Sequence, residues 1–259
     1  MPETEYLPEA ESPALEGEAM KRFQSVAARL NYLAQDRADI QYTAKELMRR
    51  MSEPRESDEV RLKRAARYLR GRPRVVLNFK WGNPAAEILV HVDADFAGCT
   101  VARKSTSGGA IFWGDACLKT WSKTQPTIAL SSGESELAAV VRGAAEALGM
   151  RAVCKDFGIT VKLAMRSDAT AAIGIVGREG LGKVRHLATS DLWVQQRVRR
   201  GEITVSKWPG PDNPTDLCTK GLSLQDLSKH LFAMGFELAE GRAEAAPALK
   251  EGAGRTAHP

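Results

Sequence analysis

Apolar residues recur at helical spacing from Met20 to Tyr68. Phe23, Val26, Ala27, Leu30, Leu33 and Ala34 lie three or four positions apart, as one buried face of an α-helix requires. Ile40, Ala44, Leu47, Met48 and Met51 continue the spacing, Pro54 interrupts it, and Val60, Leu62, Ala65, Ala66 and Leu69 resume it. Before this stretch, residues 1–18 carry six glutamates, several prolines and no basic residue, the composition of a disordered acidic lead-in.

From Gly71 the texture changes. Val75–Phe79 predicts a strand, followed by a turn through Pro84. Glu87–Val92 predicts a strand ending at Asp93, and Gly109–Trp113 and Leu118–Trp121 predict two more, joined by a hairpin turn at Gly114-Asp115. Ser132 to about Phe157 predicts a long helix stopped by Gly158. A short strand at Leu163–Met165 leads into Asp168 and a small helix over Ala169–Val176. A helix over Ser190–Arg200, a strand over Ile203–Trp208 and a last helical region opening at Pro211–Thr219 complete the pattern. From Glu237 to the end the chain is Ala-, Gly- and Glu-rich and predicts a flexible tail. Three meandering strands followed by βαβ alternation imply an α/β fold, a mixed five-stranded sheet with helices packed on both faces. No internal repeat is visible.

Charge and cysteine usage narrow the class. The 259 residues hold 37 Lys+Arg against 32 Asp+Glu, a net charge of +5 that permits a nucleic-acid partner without demanding one. Residues 49–74 concentrate ten Arg/Lys against four Asp/Glu. Such a run is either a solvated helix face or a track for a phosphate backbone. Aromatic residues make up only 6%, which argues against a base-stacking platform. Cys99, Cys117, Cys154 and Cys218 form no CxxC pair, so zinc ribbons and redox motifs are excluded, and reduced thiols in an intracellular compartment are expected. No apolar run approaches the roughly 18 residues a membrane helix needs, and no basic-then-apolar leader opens the chain, so no membrane partner is expected.

Acidic residues occupy telling positions. Asp93 and Asp168 end strands, Glu136 lies near the start of the long helix, and Asp216 lies at the start of the last one. One carboxylate per element, at adjacent ends of a sheet, is how a fold clusters ligands for hard divalent cations. Each taken singly reads equally as a turn residue or helix cap. Two neighbours compete for assignment. Asp95 shares a strand face with Asp93, and Glu134 stands about 200° from Glu136 around the helix, with apolar neighbours on both sides.

These residues lie within longer motifs. Val92-Asp93-Ala94-Asp95-Phe96-Ala97-Gly98, Arg103-Lys104-Ser105-Thr106-Ser107-Gly108, Trp121-Ser122-Lys123-Thr124-Gln125-Pro126-Thr127 and Ser131-Ser132-Gly133-Glu134-Ser135-Glu136-Leu137 resemble the ribonuclease H domain of copia-like LTR retrotransposon Pol polyproteins. The resemblance continues through Ser167-Asp168, Arg185-His186-Leu187 and Asp216-Leu217-Cys218-Thr219-Lys220, covering residues 85–235 in the family's order. Asn31-Tyr32-Leu33-Ala34, Asp39-Ile40 and Arg67-Tyr68-Leu69-Arg70-Gly71 resemble the end of the preceding reverse transcriptase region. The Tyr-x-Asp-Asp polymerase signature is absent. The implied organisation is an acidic lead-in (1–18), a small basic helical remnant of the reverse transcriptase (19–84), an RNase H-like domain (85–236) and a flexible tail (237–259).

The resemblance implies roles. Asp93, Glu136, Asp168 and Asp216 match the family's four carboxylates, which hold two Mg2+ ions, with Mn2+ as a substitute; the Glu-x-Glu pattern puts the ligand second, and Asp95 becomes an outer partner. The implied activity is magnesium-dependent endonucleolytic cleavage of the RNA strand of an RNA–DNA hybrid. The alternative is a catalytically inactive, nucleic-acid-binding remnant of the same fold. A transposase or integrase is disfavoured, because those place two Asp before a Glu in chain order. Candidate substrate contacts are Arg103, Lys104, Ser105, Ser107, Lys123, Ser132 and His186, the last reading equally as a histidine that holds a helix start. The implied partners are the hybrid and the reverse transcriptase region of a parent polyprotein, in the cytoplasm (a virus-like particle) or the nucleus. Three positions depart from the pattern: Phe96 replaces Trp, Ala169 replaces Asn, and Leu192 replaces a His.

Overall fold

The computed structural model describes residues 12–80, 82, 85–99, 101–180, 182, 191–241, 243 and 245. Three helices come first: α1 (Gly17–Leu33), α2 (Gln41–Met48) and α3 (Glu56–Gly71), with a short 3-10 turn at Ala38–Ile40. Their apolar faces meet in one cluster of Phe23, Ala27, Leu30, Ile40, Ala44, Leu47, Leu62 and Ala65. These are the positions whose three-and-four spacing predicted the helices.

The remaining elements are β1 (Arg74–Leu77), β2 (Glu87–Asp95), β3 (Thr106–Trp113), β4 (Ala116–Thr124), α4 (Ser132–Asp156), β5 (Lys162–Ser167), α5 (Thr170–Val176), α6 (Trp193–Arg199), β6 (Thr204–Lys207), α7 (Asp216–Thr219), α8 (Leu224–Ala233) and β7 (Phe236–Ala239). Five strands form the main sheet in the order β4-β3-β2-β5-β6. The β2–β3 and β3–β4 pairs are antiparallel, and β2–β5 and β5–β6 are parallel. The fold is the mixed five-stranded α/β sheet that the sequence implied. The meander closes at Gly114, whose φ of +61° suits glycine. The parallel half needs helical crossovers, which α4 and the α5–α6 segment supply.

Helices cover both faces. On one, Ile88, Val90, Val92 and Met165 pack against Leu137, Val140, Ala144 and Ala147 of α4. Gly143 lets α4 approach closely, since a Cβ there would stand 2.5 Å from Val92. On the other, Ala110, Phe112 and Cys117 meet Leu217, Cys218, Leu231, Met234 and Phe236.

Two expected boundaries need correction. Ordered chain begins before residue 18: the Leu15 N–H donates to Pro54 O (2.7 Å), the Glu56 N–H donates to Pro13 O (2.9 Å), and Leu15 is buried. The tail does not begin at 237, because Phe236–Ala239 pairs antiparallel with β1 across the whole length of both strands. Both corrections have one cause: these segments are ordered by partners distant in sequence, which local composition does not register. The β1–β7 ribbon and Ala38, buried in the second sheet-face cluster, join the helical region to the sheet.

Candidate active site

The strand β2 runs two residues beyond Asp93, so Asp93 lies inside it, opposite Gly108 of β3. Glu136 follows the start of α4 by one turn, and Asp168 lies just beyond β5. One carboxylate oxygen from each of Asp93, Glu136 and Asp168 lies within 4.8 Å of the other two. Asp93 is buried and accepts a hydrogen bond from the Thr219 hydroxyl. Glu136 Oε2 is buried with no hydrogen-bond partner.

The electrostatics follow from crowding. Burial pushes the Asp93 carboxyl up to about 6, and the charges of Asp216 and Asp168 push the same way against the Thr219 hydrogen bond. Burial, then the charges of Asp93 and Asp168, push Glu136 up to about 8. Three acids held together, one oxygen buried and unpaired, form a hard-oxygen donor set that fits a divalent cation such as Mg2+ or Mn2+.

Asp216 opens α7 outside this triad, with its Oδ2 3.0 Å from Lys220 Nζ, yet close enough for its charge to act on Asp93. Buried Asn213 positions it. Its side-chain amide donates to Val92 O (3.0 Å), and its Oδ1 accepts from the Thr215 hydroxyl (2.7 Å), pinning the segment before α7 to β2. Gly108 leaves room for α7 against β3; a Cβ there would lie 2.6 Å from Thr219.

The competing acids have other tasks. Glu134 caps α4: its carboxylate accepts from the Leu130 N–H (2.8 Å) and the Ser131 hydroxyl (3.2 Å). Asp95 abuts Gly98, where a Cβ would stand 1.7 Å from its Oδ2.

Among the expected substrate contacts, the Ser105 and Ser107 hydroxyls bond within the protein. Both are buried: the Ser105 hydroxyl accepts from the Ala97 N–H (3.0 Å), and the Ser107 hydroxyl accepts from Gln125 Nε2 (2.9 Å). Gln125 also donates to Ser135 O (2.8 Å), so these side chains fasten β3 to the loop before α4. Arg103, Lys123 and Ser132 are exposed and Lys104 is half-buried. His186 lies outside the described residues. Ala169, standing in for the family's Asn, precedes α5 without any side-chain cap bond. Sequence reasoning missed Thr219, Lys220 and Asn213; the Asn-Pro-Thr turn ahead of Asp216 was the one local signal for the last.

No protein-family model matches the chain. An uncharacterized mitochondrial protein of Arabidopsis thaliana is 37% identical over 124 residues, 48% of this chain and 51% of that protein. The retrovirus-related Pol polyprotein from transposon RE1 of the same plant is 28% identical over 204 residues, 78% of this chain and 14% of the polyprotein. The chain thus spans about half the length of the first relative and a seventh of the second. Among solved structures, LC11-RNase H1 isolated from compost aligns with 52% of this chain and 93% of its own at 13% identity, with a TM-score of 0.38. At the level of sequence the chain is similar to retrovirus-related Pol polyproteins of plant transposons, in line with the resemblance drawn from the motifs.

Proposed function

We propose that this chain is a ribonuclease H, a metal-dependent endonuclease that cuts the RNA strand of RNA–DNA hybrids. The observation that carries the reading is the triad of Asp93, Glu136 and Asp168 with an unpaired buried oxygen on Glu136. A fold that needed these acids only for stability would pair them. Homology to Pol polyproteins supports a nuclease rather than another metal-dependent chemistry.

Asp93, Glu136 and Asp168 would hold the cation nearest β2, and Asp216 extends the acid set toward α7. Held by these acids, divalent ions would supply an activated water and charge neutralisation for in-line displacement at a phosphodiester. In that displacement a water oxygen bonds to phosphorus, the bond to the 3′ oxygen breaks, and the ends are 5′-phosphate and 3′-hydroxyl. The Thr219 hydroxyl holds one Asp93 oxygen in place. In this reading Arg103, Lys104 and Lys123 would meet backbone phosphates, and the exposed Ser132 a 2′-hydroxyl, the group that marks RNA. The missing side chain at Ala169 favours the second reading, an inactive hybrid-binding remnant.

A labelled RNA–DNA hybrid decides between them. Cleavage of the RNA strand with Mg2+, abolished by chelator and absent on duplex DNA, is the expected result. Binding without cleavage in either Mg2+ or Mn2+ would select the remnant.

A further inference from the structure

Lys220 stands where a mobile counter-ion would stand. Its ammonium lies 3.0 Å from Asp216 Oδ2, one helical turn along the chain, while its side chain keeps 47% of its surface in solvent. The residue before it, Thr219, donates to Asp93, so the end of α7 delivers a hydroxyl and an ammonium to two neighbouring acids. Lys220 makes its ion pair with Asp216, the acid outside the triad, and its charge also reaches Asp93.

We propose that Lys220 is a positioning residue that neutralises Asp216 until a divalent cation takes that carboxylate, and that the displaced ammonium then contacts the substrate's phosphate. The inference rests on the metal-site reading of the carboxylates. An ammonium and a divalent cation cannot share one carboxylate oxygen without strong repulsion, so the two compete. The lysine stem is long and half exposed, so the head can swing from Asp216 to a phosphate without moving the backbone.

The test compares wild type, Lys220→Gln and Lys220→Arg. Mn2+ binding is followed by electron paramagnetic resonance without substrate. Removing the competing charge should tighten Mn2+ binding about tenfold at the weaker site, the scale expected for a screened, half-exposed pair. Lys220→Arg should stay within about threefold of wild type, because the charge remains. With Ca2+ in place of Mg2+, to hold the hybrid uncut, Lys220→Gln should weaken hybrid binding severalfold, and Lys220→Arg should restore it. Unchanged Mn2+ affinity in Lys220→Gln, with its melting temperature unmoved, would overturn the proposal and leave a plain surface ion pair. Wild type binding no Mn2+ at all would overturn the metal reading itself, a distinct result.

Discussion

The helical region and the sheet both bury carboxylates, and they treat them in opposite ways. In the helical region Asp39 is 9% exposed, and Arg37 grips both of its oxygens at 2.9 and 2.6 Å. The Tyr68 hydroxyl donates to Asp39 Oδ2 (2.8 Å), and Arg37 also donates to the carbonyls of Arg72 and Pro73. Asp58, wholly buried, takes Arg61 at 3.1 Å and the backbone N–H of Arg55 at 3.0 Å. At the sheet, Asp93 has a hydroxyl and Glu136 keeps an oxygen with no partner at all. Full pairing is what a structural acid needs, because a buried charge left alone is costly. Acids crowded together and left short of donors are the donor set that the metal-site proposal rests on.

The comparison is broken most decisively by activity. Asp168→Asn should lower hybrid cleavage about a thousandfold or more, because the acid set holding the cation loses a charged ligand. The same change in a structural acid would leave turnover of the folded protein intact. Gel-resolved cleavage alongside circular dichroism measures this, and Asp168→Asn retaining near-normal magnesium-dependent rates would exclude the site.

Stability separates the two kinds of acid next. Asp39→Ala should destabilise the chain by about 3–5 kcal/mol, because it leaves the Arg37 guanidinium buried without its partner. Denaturant unfolding checks the figure. A loss below about 1 kcal/mol would mean that the Arg37–Asp39 pair behaves as a surface bridge does.

Glu136→Gln should do the reverse in metal-free protein, in a definite pH window. The folded-state value of Glu136 is raised from 4.5 to about 8, so its contribution is present at low pH and lost as pH rises through 8. Asp93, raised from 3.8 to about 6, acts in the same direction. His91, pushed down by burial from 6.5 to about 4, acts oppositely, losing stability as pH falls through that interval. Above pH 6.5 the loss due to Glu136 therefore stands clear. Wild type should lose about 2 kcal/mol between roughly pH 6.5 and 8.5, and Glu136→Gln should lose far less. Added Mg2+ should restore the wild type only. Parallel pH profiles for the two proteins would show that the carboxyl is not under strain.

Much of the fold and the positions of the clustered acids were legible in the sequence, and the illegible part has a physical reason. The helical periodicity, the Gly158 stop and the strand end before Asp168 are local signals and survive in the structure, whereas the strand expected to end at Asp93 runs on to Asp95. The choice between Glu134 and Glu136 was beyond periodicity; it turns on a cap geometry in which Glu134 folds back onto Leu130 and Ser131. That the Ser105 and Ser107 hydroxyls bond to Ala97 and Gln125 was not legible either, because those partners come from neighbouring loops rather than the local pattern. Asn213 and Thr219 act across more than a hundred residues of chain, on Val92 and Asp93, and no short window contains both partners.

The smallest expected effect concerns the basic run of residues 49–74. The structure consumes much of that charge internally: Arg49 pairs with Glu46, Arg61 with Asp58 and Lys63 with Glu59. Arg67 and Arg70, by contrast, are exposed on α3. If the helical region serves as a phosphate track, these two are exposed cations that belong to it. Each phosphate contact contributes about −0.9 to the slope of log affinity against log salt on duplex DNA. The double variant Arg67→Gln/Arg70→Gln should therefore flatten the slope for an RNA–DNA hybrid by up to about two, and weaken binding most at low salt. Cleavage at saturating hybrid should hardly move, since neither side chain belongs to the carboxylate site. Fluorescence anisotropy over a salt series measures the slope. An unchanged slope would assign the whole basic run to internal pairing and solvation, and the helical region would then differ from the sheet in having no part in substrate binding.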